Sequence, residues 1–477
     1  MAKETEQGPF LPQGGTSTTE TSFDNKPSLF SLNPGIYLAT GVKNGAIYDT
    51  NTGKIYSLNA KGVQAIRTRD GDCAFQEKLA RELRIKAISE PTPLIKEKTE
   101  IKLDFVWFEI LSDDCNECCV HCYADSMPKS YRRNLEVQTP VISPKDQKKL
   151  SADEWKKLID ESFVLGARQC QFIGGEPFLW RGENKETVLD LAEHAKETGF
   201  ETVEIFTNGT LITEAVAQRI KDIGLGIAIS LYSIDETTHE SITRTRGSFK
   251  KTISALQMLK TLEIPARVET VLMKQNQKTI EDTDKAIAEM GFEHRTPDVI
   301  RPNGRGGNHD LYPDKDIAIK YSIKMRPDFP ANSDYIRRNM DAHSCLAGKI
   351  TITDTGEVLP CIFSREQITG NVRTSGSLKN ILEGEMQNIW RITKDDVLVC
   401  QDCEYRYVCA DCRPLAQAAS GNKGDYKSSP YPRCAYNPYE GEWGKGIWKL
   451  DHDAKPLFDT SSIKQIQEEH SVKGGEI

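Results

Sequence analysis

The chain has 477 residues, 38% of them hydrophobic, and a formal net charge of −8. The length predicts about three domains, and the composition is ordinary for a globular protein. An acidic balance without a basic stripe argues against nucleic acid as a partner, and no apolar run reaches the ~18 residues of a membrane helix. The first thirty residues contain no apolar signal-peptide core, so we expect a cytoplasmic protein with no membrane partner.

The amino-terminal part predicts a disordered tail followed by a small strand-and-helix unit. Residues 1–27 are polar and rich in Thr, Ser and Gly, which is typical of a disordered segment. The stretches GIYLAT, GAIYDT and KIYSLN predict three short strands, and NTG at residues 51–53 predicts a hairpin turn between the last two. AFQEKLARELRI then predicts a helix. The unit spans residues 28–95.

Residues 100–330 alternate between predicted strands and predicted helices. The strands are FVWFEIL, QCQFIGG, ETVEIFTNG, GIAISLYS and PARVETVLM, and amphipathic stretches separate most of them. Strand-then-helix repetition predicts an α/β fold with a parallel sheet, and about six units predict a partial barrel. Functional residues are expected at the carboxyl ends of such strands.

Cysteines dominate the remaining sequence signal. The chain has 13, with clusters at residues 115–122 and 400–412, and a reducing compartment favours metal binding over disulfides. The Gly- and Pro-rich stretch 301–316 predicts a boundary. Residues 331–440 then form a cysteine-rich domain with little periodicity, which we expect to depend on metal. Residues 441–477 are predicted to be a peripheral tail.

The stretch CNECCVHC carries the first functional motif. Cys115, Cys119 and Cys122 have the spacing C-x3-C-x2-C and follow the first predicted barrel strand. This spacing resembles the signature of the radical S-adenosylmethionine (SAM) enzymes. The resemblance implies a four-iron cluster held by these three thiolates, with the fourth iron open for SAM, and leaves Cys118 outside the ligand set. Cys119 and Cys122 alone would also suit zinc.

Other motifs at the predicted strand ends strengthen this resemblance. GGEP at residues 174–177 and TNG at residues 207–209 match elements that line the SAM pocket in the family, and glycine lets the backbone approach a ligand. Arg246 is an alternative to Arg244, and His121 is a second candidate for stacking on adenine. The predicted SAM-binding residues are Gly174, Gly175, Glu176, Pro177, Thr207, Asn208, Ser230, Arg244 and Tyr123.

The carboxyl-terminal cysteines resemble the SPASM domain. The resemblance implies two auxiliary four-iron clusters, the first held by Cys345, Cys361 and Cys412, and the second by Cys400, Cys403, Cys409 and Cys434. Two residues separate the third and fourth cysteines of the C-x2-C-x5-C-x2-C run, where the family has three. Seven thiolates leave one ligand position open, and a zinc ribbon is the alternative interpretation.

Residues 28–95 resemble the winged-helix-like leader-recognition element of peptide maturases, which binds a precursor's leader as an added strand. An unrelated hairpin domain that aids stability or dimerisation is the alternative. The whole chain is thus identified as similar to radical SAM/SPASM maturases of ribosomally made peptides, with a TIM-like (β/α)6 core. The resemblance implies SAM and three [4Fe–4S] clusters as cofactors.

The expected partners are a precursor peptide, bound through its leader, and an electron donor such as flavodoxin or ferredoxin. A crosslink, an epimerisation or a backbone excision would each fit the family. The alternatives are a SPASM enzyme that acts on a folded protein, as sulfatase maturases do, or on a small molecule, and a zinc-dependent interaction module without catalysis. The sequence identifies no catalytic base.

Overall fold

A computed structural model gives the structure of the chain over residues 27–68, 73–94, 100–134, 148–322, 329, 332–420, 425–444, 449–450 and 456–457. The tail predicted at residues 1–27 lies outside these described residues except for Pro27, and most of the tail predicted at residues 441–477 also lies outside them. In the described ranges, we find no helix with the length and apolar character needed to cross a membrane.

The amino-terminal unit is an antiparallel sheet with two helices. Its strands are β1 (Leu29–Asn33), β2 (Ile36–Thr40), β3 (Gly45–Asp49), β4 (Lys54–Leu58) and β5 (Thr92–Pro93), in the order β4-β3-β2-β1-β5. Helices α1 (Ala60–Thr68) and α2 (Cys73–Glu82) pack on it through a core that includes Leu38, Ile47 and Leu79. The predicted β3–β4 hairpin is confirmed. Strand β1 and helix α1 were not predicted.

Six parallel strands form the centre of the molecule. They are β6 (Phe105–Leu111), β7 (Gln169–Gly174), β8 (Thr202–Thr207), β9 (Gly226–Ser230), β10 (Ala266–Glu269) and β12 (Glu293–His294), and β11 (Val271–Leu272) pairs separately with β13 (Asp298–Val299). The six lie side by side in the order β6-β7-β8-β9-β10-β12, which confirms the predicted α/β class with its parallel sheet.

Helices alternate with these strands and cover the sheet. They are α3 (Lys129–Asn134), α4 (Ala152–Val164), α5 (Val188–Thr198), α6 (Glu214–Ile223), α7 (Glu236–Thr243), α8 (Ser248–Thr261), α9 (Ile280–Met290) and α10 (Lys315–Ser322). Alternate residues of β6 point towards this layer, so that Phe108 meets Trp155 of α4 edge to face at 6.1 Å. The large core therefore lies between the sheet and its helices.

The cysteine-rich region extends the same sheet. Its strands are β14 (Lys349–Thr353), β15 (Glu357–Leu359) and β16 (Gly370–Asn371), followed by the small hairpins β17 (Tyr436–Asn437) with β18 (Glu442–Trp443) and β19 (Lys449–Leu450) with β20 (Pro456–Leu457). Its helices are α11 (Ser333–Asp341), α12 (Leu378–Ile381), α13 (Gln387–Trp390) and α14 (Arg413–Ser420). Strand β14 pairs in parallel with β6, so this region and the barrel share one nine-stranded sheet.

Candidate functional site

The first three predicted ligands lie on the loop that follows β6. The amide of Glu117 donates to Cys115 Sγ at 3.4 Å and the amide of Cys122 donates to the carbonyl of Cys119 at 3.3 Å, so one tight loop carries all three cysteines. Burial raises the pKa of the Cys119 thiol well above its usual value, and the neighbouring carboxylate of Glu117 raises it further. Thiols that resist ionisation alone become thiolates when a metal cluster supplies positive charge. The three side chains therefore fit an iron–sulfur cluster.

The carboxyl-terminal end of α7 holds the backbone of this cysteine loop. The amide of Cys118 donates to the carbonyl of Thr243 at 3.1 Å, and the amide of Val120 donates to Ile242 at 2.9 Å. Arg244 follows directly in a left-handed conformation, with φ +51°, and its side chain is exposed. The end of α7 thus brings Arg244 next to the loop, and Arg246 is also exposed two residues further on.

Two glycines allow the cysteine loop to lie directly on the end of β7. A Cβ on Gly174, whose φ is +149°, would stand 2.1 Å from the carbonyl oxygen of Leu111. A Cβ on Gly175 would stand 1.9 Å from the carbonyl oxygen of Asp114. Both contacts exclude any side chain, so glycine is required here for close backbone packing.

Glu176 joins the ends of β7 and β8 instead of standing free. It is fully buried and accepts hydrogen bonds from the Thr207 hydroxyl at 2.8 Å and from the amide of Asn208 at 3.0 Å. Burial raises the pKa of its carboxyl group to about 7, although these hydrogen bonds oppose the shift. Because the two side chains bond each other, contacts of Glu176 and Thr207 with a cofactor would come from their backbone. Pro177 is buried at the start of a 3₁₀ turn, Pro177–Leu179.

Asn116 is a site residue that the sequence analysis missed. Its amide oxygen accepts from Asn208 Nδ2 at 2.9 Å, and its own amide nitrogen donates to the Thr210 hydroxyl at 2.7 Å. These bonds tie the loop between the first two cysteines to the end of β8. A polar side chain directly after Cys115 was the signal that could have suggested this role.

The aromatic candidates beside the cysteines have protein partners. Ser230 ends β9, and Tyr232, two residues further on, meets the ring of His121 edge to face at 4.6 Å. Tyr123 meets the ring of Phe363 at 5.2 Å, so it lies at the contact between the barrel and the cysteine-rich region. Burial lowers the pKa of His121 to about 3, which makes this ring neutral.

Three further cysteines come together near the edge of β14. Burial raises the pKa of Cys361 to about 12, and the charges of Cys412 and Cys345 raise it as well. Arg301 Nη1 donates a hydrogen bond to Cys412 Sγ at 3.2 Å. The resemblance implies these three cysteines as the ligands of the first auxiliary cluster, and their mutual effect on the pKa of Cys361 agrees with that set. We call them the first auxiliary group.

The remaining four predicted auxiliary ligands line one cavity, and we call them the second auxiliary group: Cys400, Cys403, Cys409 and Cys434. Lys394 Nζ lies 3.8 Å from Cys400 Sγ. Lys394 also pairs with buried Asp411 at 3.2 Å, in the turn between Cys409 and Cys412. The turn lies between Cys409 of the second auxiliary group and Cys412 of the first. Only two residues separate these cysteines, where the family has three.

The loop of the second auxiliary group also contacts the amino-terminal sheet. The Tyr48 hydroxyl on β3 donates to the carbonyl of Glu404 at 2.6 Å. Arg406, only 2% exposed at its side chain, donates to the carbonyl of Thr40 at 2.9 Å. The cysteine-rich region thus lies against both the barrel and the amino-terminal unit.

Two family models match the chain. The Radical SAM superfamily model covers residues 110–287, and the SPASM model, an iron–sulfur cluster-binding domain, covers residues 345–413. The chain is therefore an enzyme that contains a radical SAM domain and a SPASM domain. The first domain binds SAM and a [4Fe–4S] cluster, and the second binds auxiliary iron–sulfur clusters. These matches favour iron–sulfur clusters over the alternative of zinc at the same cysteines.

Several curated proteins are similar to the chain. An AdoMet-dependent heme synthase of Methanosarcina barkeri is 26% identical over 69% of this chain and 95% of that protein. A PqqA peptide cyclase of Bradyrhizobium diazoefficiens is 25% identical over 63% of this chain and 81% of that protein. The antilisterial bacteriocin subtilosin biosynthesis protein AlbA of Bacillus subtilis is 28% identical over 55% of this chain and 56% of that protein.

Among solved structures, native anSMEcpe with bound AdoMet resembles the chain with a TM-score of 0.50 at 15% identity. The match covers 77% of this chain and 97% of that chain. At this identity the likeness concerns the fold, and it agrees with the parallel sheet of the central domain.

Proposed function

We propose that the enzyme modifies a ribosomally made precursor peptide. Bound SAM would supply a 5′-deoxyadenosyl radical that removes a hydrogen atom from the peptide. Similarity to a peptide cyclase and to a bacteriocin biosynthesis protein supports a peptide substrate. The modified peptide would carry a crosslink or an epimerised residue, or would have lost a backbone segment.

The free edge of the amino-terminal sheet is the observation that carries this proposal. Strand β4 pairs with β3 on one side and has no strand on its other side among the described residues. Such an edge offers unpaired backbone groups to an extended peptide, and side-chain pockets beside it would select the sequence. The unit also lies outside both family matches, which suits a role in substrate choice.

The protein's own residues would hold the reactants in place. Cys115, Cys119 and Cys122 would hold the SAM-binding cluster, and the backbone around Gly174 and Gly175 would approach SAM. The SPASM cysteines would hold the auxiliary clusters in the two groups described above. A flavodoxin or ferredoxin would deliver the electron that SAM cleavage requires.

The decisive experiment is to incubate the anaerobic, fully loaded enzyme with SAM, reductant and a candidate precursor peptide in deuterated buffer. Loss of two hydrogens from the peptide would indicate a crosslink, deuterium uptake an epimerisation, and a large mass loss an excision. The Cys119→Ala variant is the control and should form no 5′-deoxyadenosine. An unchanged peptide that takes up no deuterium, with deoxyadenosine still formed, would contradict a peptide substrate.

Hydrogen exchange can locate the peptide on the full-length enzyme. Addition of a strand should slow amide exchange in β4, at residues 54–58, because the edge gains hydrogen bonds. The matched control is α2, which should exchange as before. Equal protection of both elements, or of neither, would contradict docking at this edge.

A haem-related small molecule is the second candidate substrate. The similarity to an AdoMet-dependent heme synthase covers 95% of that protein, which favours this alternative for the shared domains. The same assay with an iron porphyrin in place of the peptide separates the two. Substrate-dependent deoxyadenosine formation with the porphyrin alone would establish the small-molecule function.

A further inference from the structure

The loop at residues 301–306 touches the SAM-cluster loop on one side. The amide of Arg305 donates to the carbonyl of Cys122 at 3.0 Å, and its Nε donates to the carbonyl of Cys119 at 2.8 Å. Gly304, with φ +53°, leaves only 2.6 Å between a Cβ and the Cys122 carbonyl oxygen. Glycine at this position therefore lets the two loops pack backbone to backbone.

The same loop touches the first auxiliary group on its other side. Arg301 Nη1 donates to Cys412 Sγ at 3.2 Å, and its guanidinium carbon lies 4.5 Å from the centre of the Phe363 ring. Asn303 Nδ2 donates to the carbonyl of Phe363 at 3.1 Å, two residues after Cys361. One short loop thus connects the surroundings of two cluster sites.

The position of Arg301 is held by several contacts. Its Nε donates to Asp298 Oδ2 at 2.9 Å, and the Phe363 ring covers its guanidinium group. Phe363 in turn meets Tyr123, the neighbour of Cys122, at 5.2 Å. Because an arginine side chain is always protonated, this geometry fixes a full positive charge and an N–H donor at one cysteine sulfur.

We infer that Arg301 sets the reduction potential of the first auxiliary cluster. A charged donor at a ligand sulfur stabilises the additional negative charge that the cluster carries after it takes up one electron. Its loss should therefore make the cluster harder to reduce. The inference uses the grouping of Cys345, Cys361 and Cys412 and goes beyond the proposed substrate, because a potential is measured without substrate.

The test is a redox titration of the anaerobic, iron-loaded enzyme, followed by electron paramagnetic resonance, with dithionite as the electron source. The SAM cluster is recognised because its signal changes when SAM is added. In Arg301→Gln we expect the reduction potential of one auxiliary signal to fall by at least about 59 mV. This is a tenfold change in the equilibrium constant for reduction by one electron. Arg301→Lys keeps the charge without the planar fork and should shift less.

Arg433→Gln is the matched control. Arg433 pairs with the same carboxylate, Asp298, and among the described residues it makes no hydrogen bond to a sulfur of the first auxiliary group. The Arg433→Gln variant should leave the reduction potential of the first auxiliary cluster unchanged. An equal shift in Arg433→Gln, or no shift in Arg301→Gln with its iron retained, would overturn the inference. Loss of about four iron atoms from both Arg301 variants would also overturn it, because the residue would then be needed for retention.

Discussion

The two auxiliary groups belong to one cysteine-rich region but contact different parts of the molecule. The first group meets the barrel, where Arg301 bonds Cys412 and Phe363 meets Tyr123. The second group lies under the amino-terminal sheet, through Arg406 and Glu404. The difference indicates a division of roles, in which one group is linked to the SAM site and the other to the proposed recognition unit.

The contacts of the second group are buried and specific. Besides Thr40, Arg406 donates to the carbonyl of Ser28 at 3.2 Å and pairs with Asp395 at 2.7 Å. Tyr48 and Tyr407 pack edge to face at 5.8 Å in a small core shared by the two regions. A change in the loop of the second auxiliary group should therefore alter the stability of the amino-terminal sheet.

Removal of one cysteine from each group should have the largest effect and would test the separate roles of the two groups most directly. Cys403→Ala and Cys412→Ala should each lose about four of about 12 iron atoms per chain. Only Cys403→Ala should speed hydrogen exchange in β2 and β3, because its loop supports that sheet. Cys73→Ala, an exposed lone cysteine, should keep all its iron. Faster exchange in Cys412→Ala as well would contradict separate roles.

Arg406→Gln should weaken the contact of the amino-terminal unit without removing a cysteine. The variant leaves Asp395 and three backbone carbonyls without their charged donor, so the free energy of local opening should fall by about 3 kcal/mol. Hydrogen exchange of β2 measures this change. The potential of the first auxiliary cluster should stay the same, and a shift there would show that the two groups are coupled.

Tyr48→Phe should have the smallest effect, because it changes a single contact between the second auxiliary group and the amino-terminal sheet. It removes one buried hydroxyl bond to Glu404, which should lower the same opening free energy by about 1 kcal/mol. Tyr56→Phe is the matched control, because its hydroxyl makes only an exposed contact with the Glu82 carbonyl at 3.5 Å. Equal losses in both variants would indicate a general effect on the sheet instead of its contact with the cysteine loop.

Much of the barrel could be predicted from local sequence. The stretches QCQFIGG and ETVEIFTNG form strands as predicted, and GGEP and TNG follow their carboxyl ends. Helix α7 was missed because ETTHESIT contains three β-branched threonines with low helix propensity. Burial of His239 and Ile242 and the cap from Asp235 stabilise it, and these contacts depend on tertiary structure.

Element boundaries were less predictable than element types. Strand β18 lies beyond the boundary predicted at residue 440 but pairs with β17 before it, and its Trp443 packs against the ring of Tyr436 at 4.7 Å. Strand β14 joins the barrel sheet although it belongs to the cysteine-rich region. The pairing of β14 with β6 has no local pattern that would reveal it, because the two strands are far apart in sequence.

By itself the sequence determined the chemistry of this enzyme, because thiolate spacing and glycine-rich strand ends are local features that a radical SAM cluster site requires. Only the tertiary structure decided which thiols share a group and what surrounds them. Arg301 and Cys412 stand 111 residues apart in sequence, and folding alone brings a guanidinium group to 3.2 Å from that sulfur.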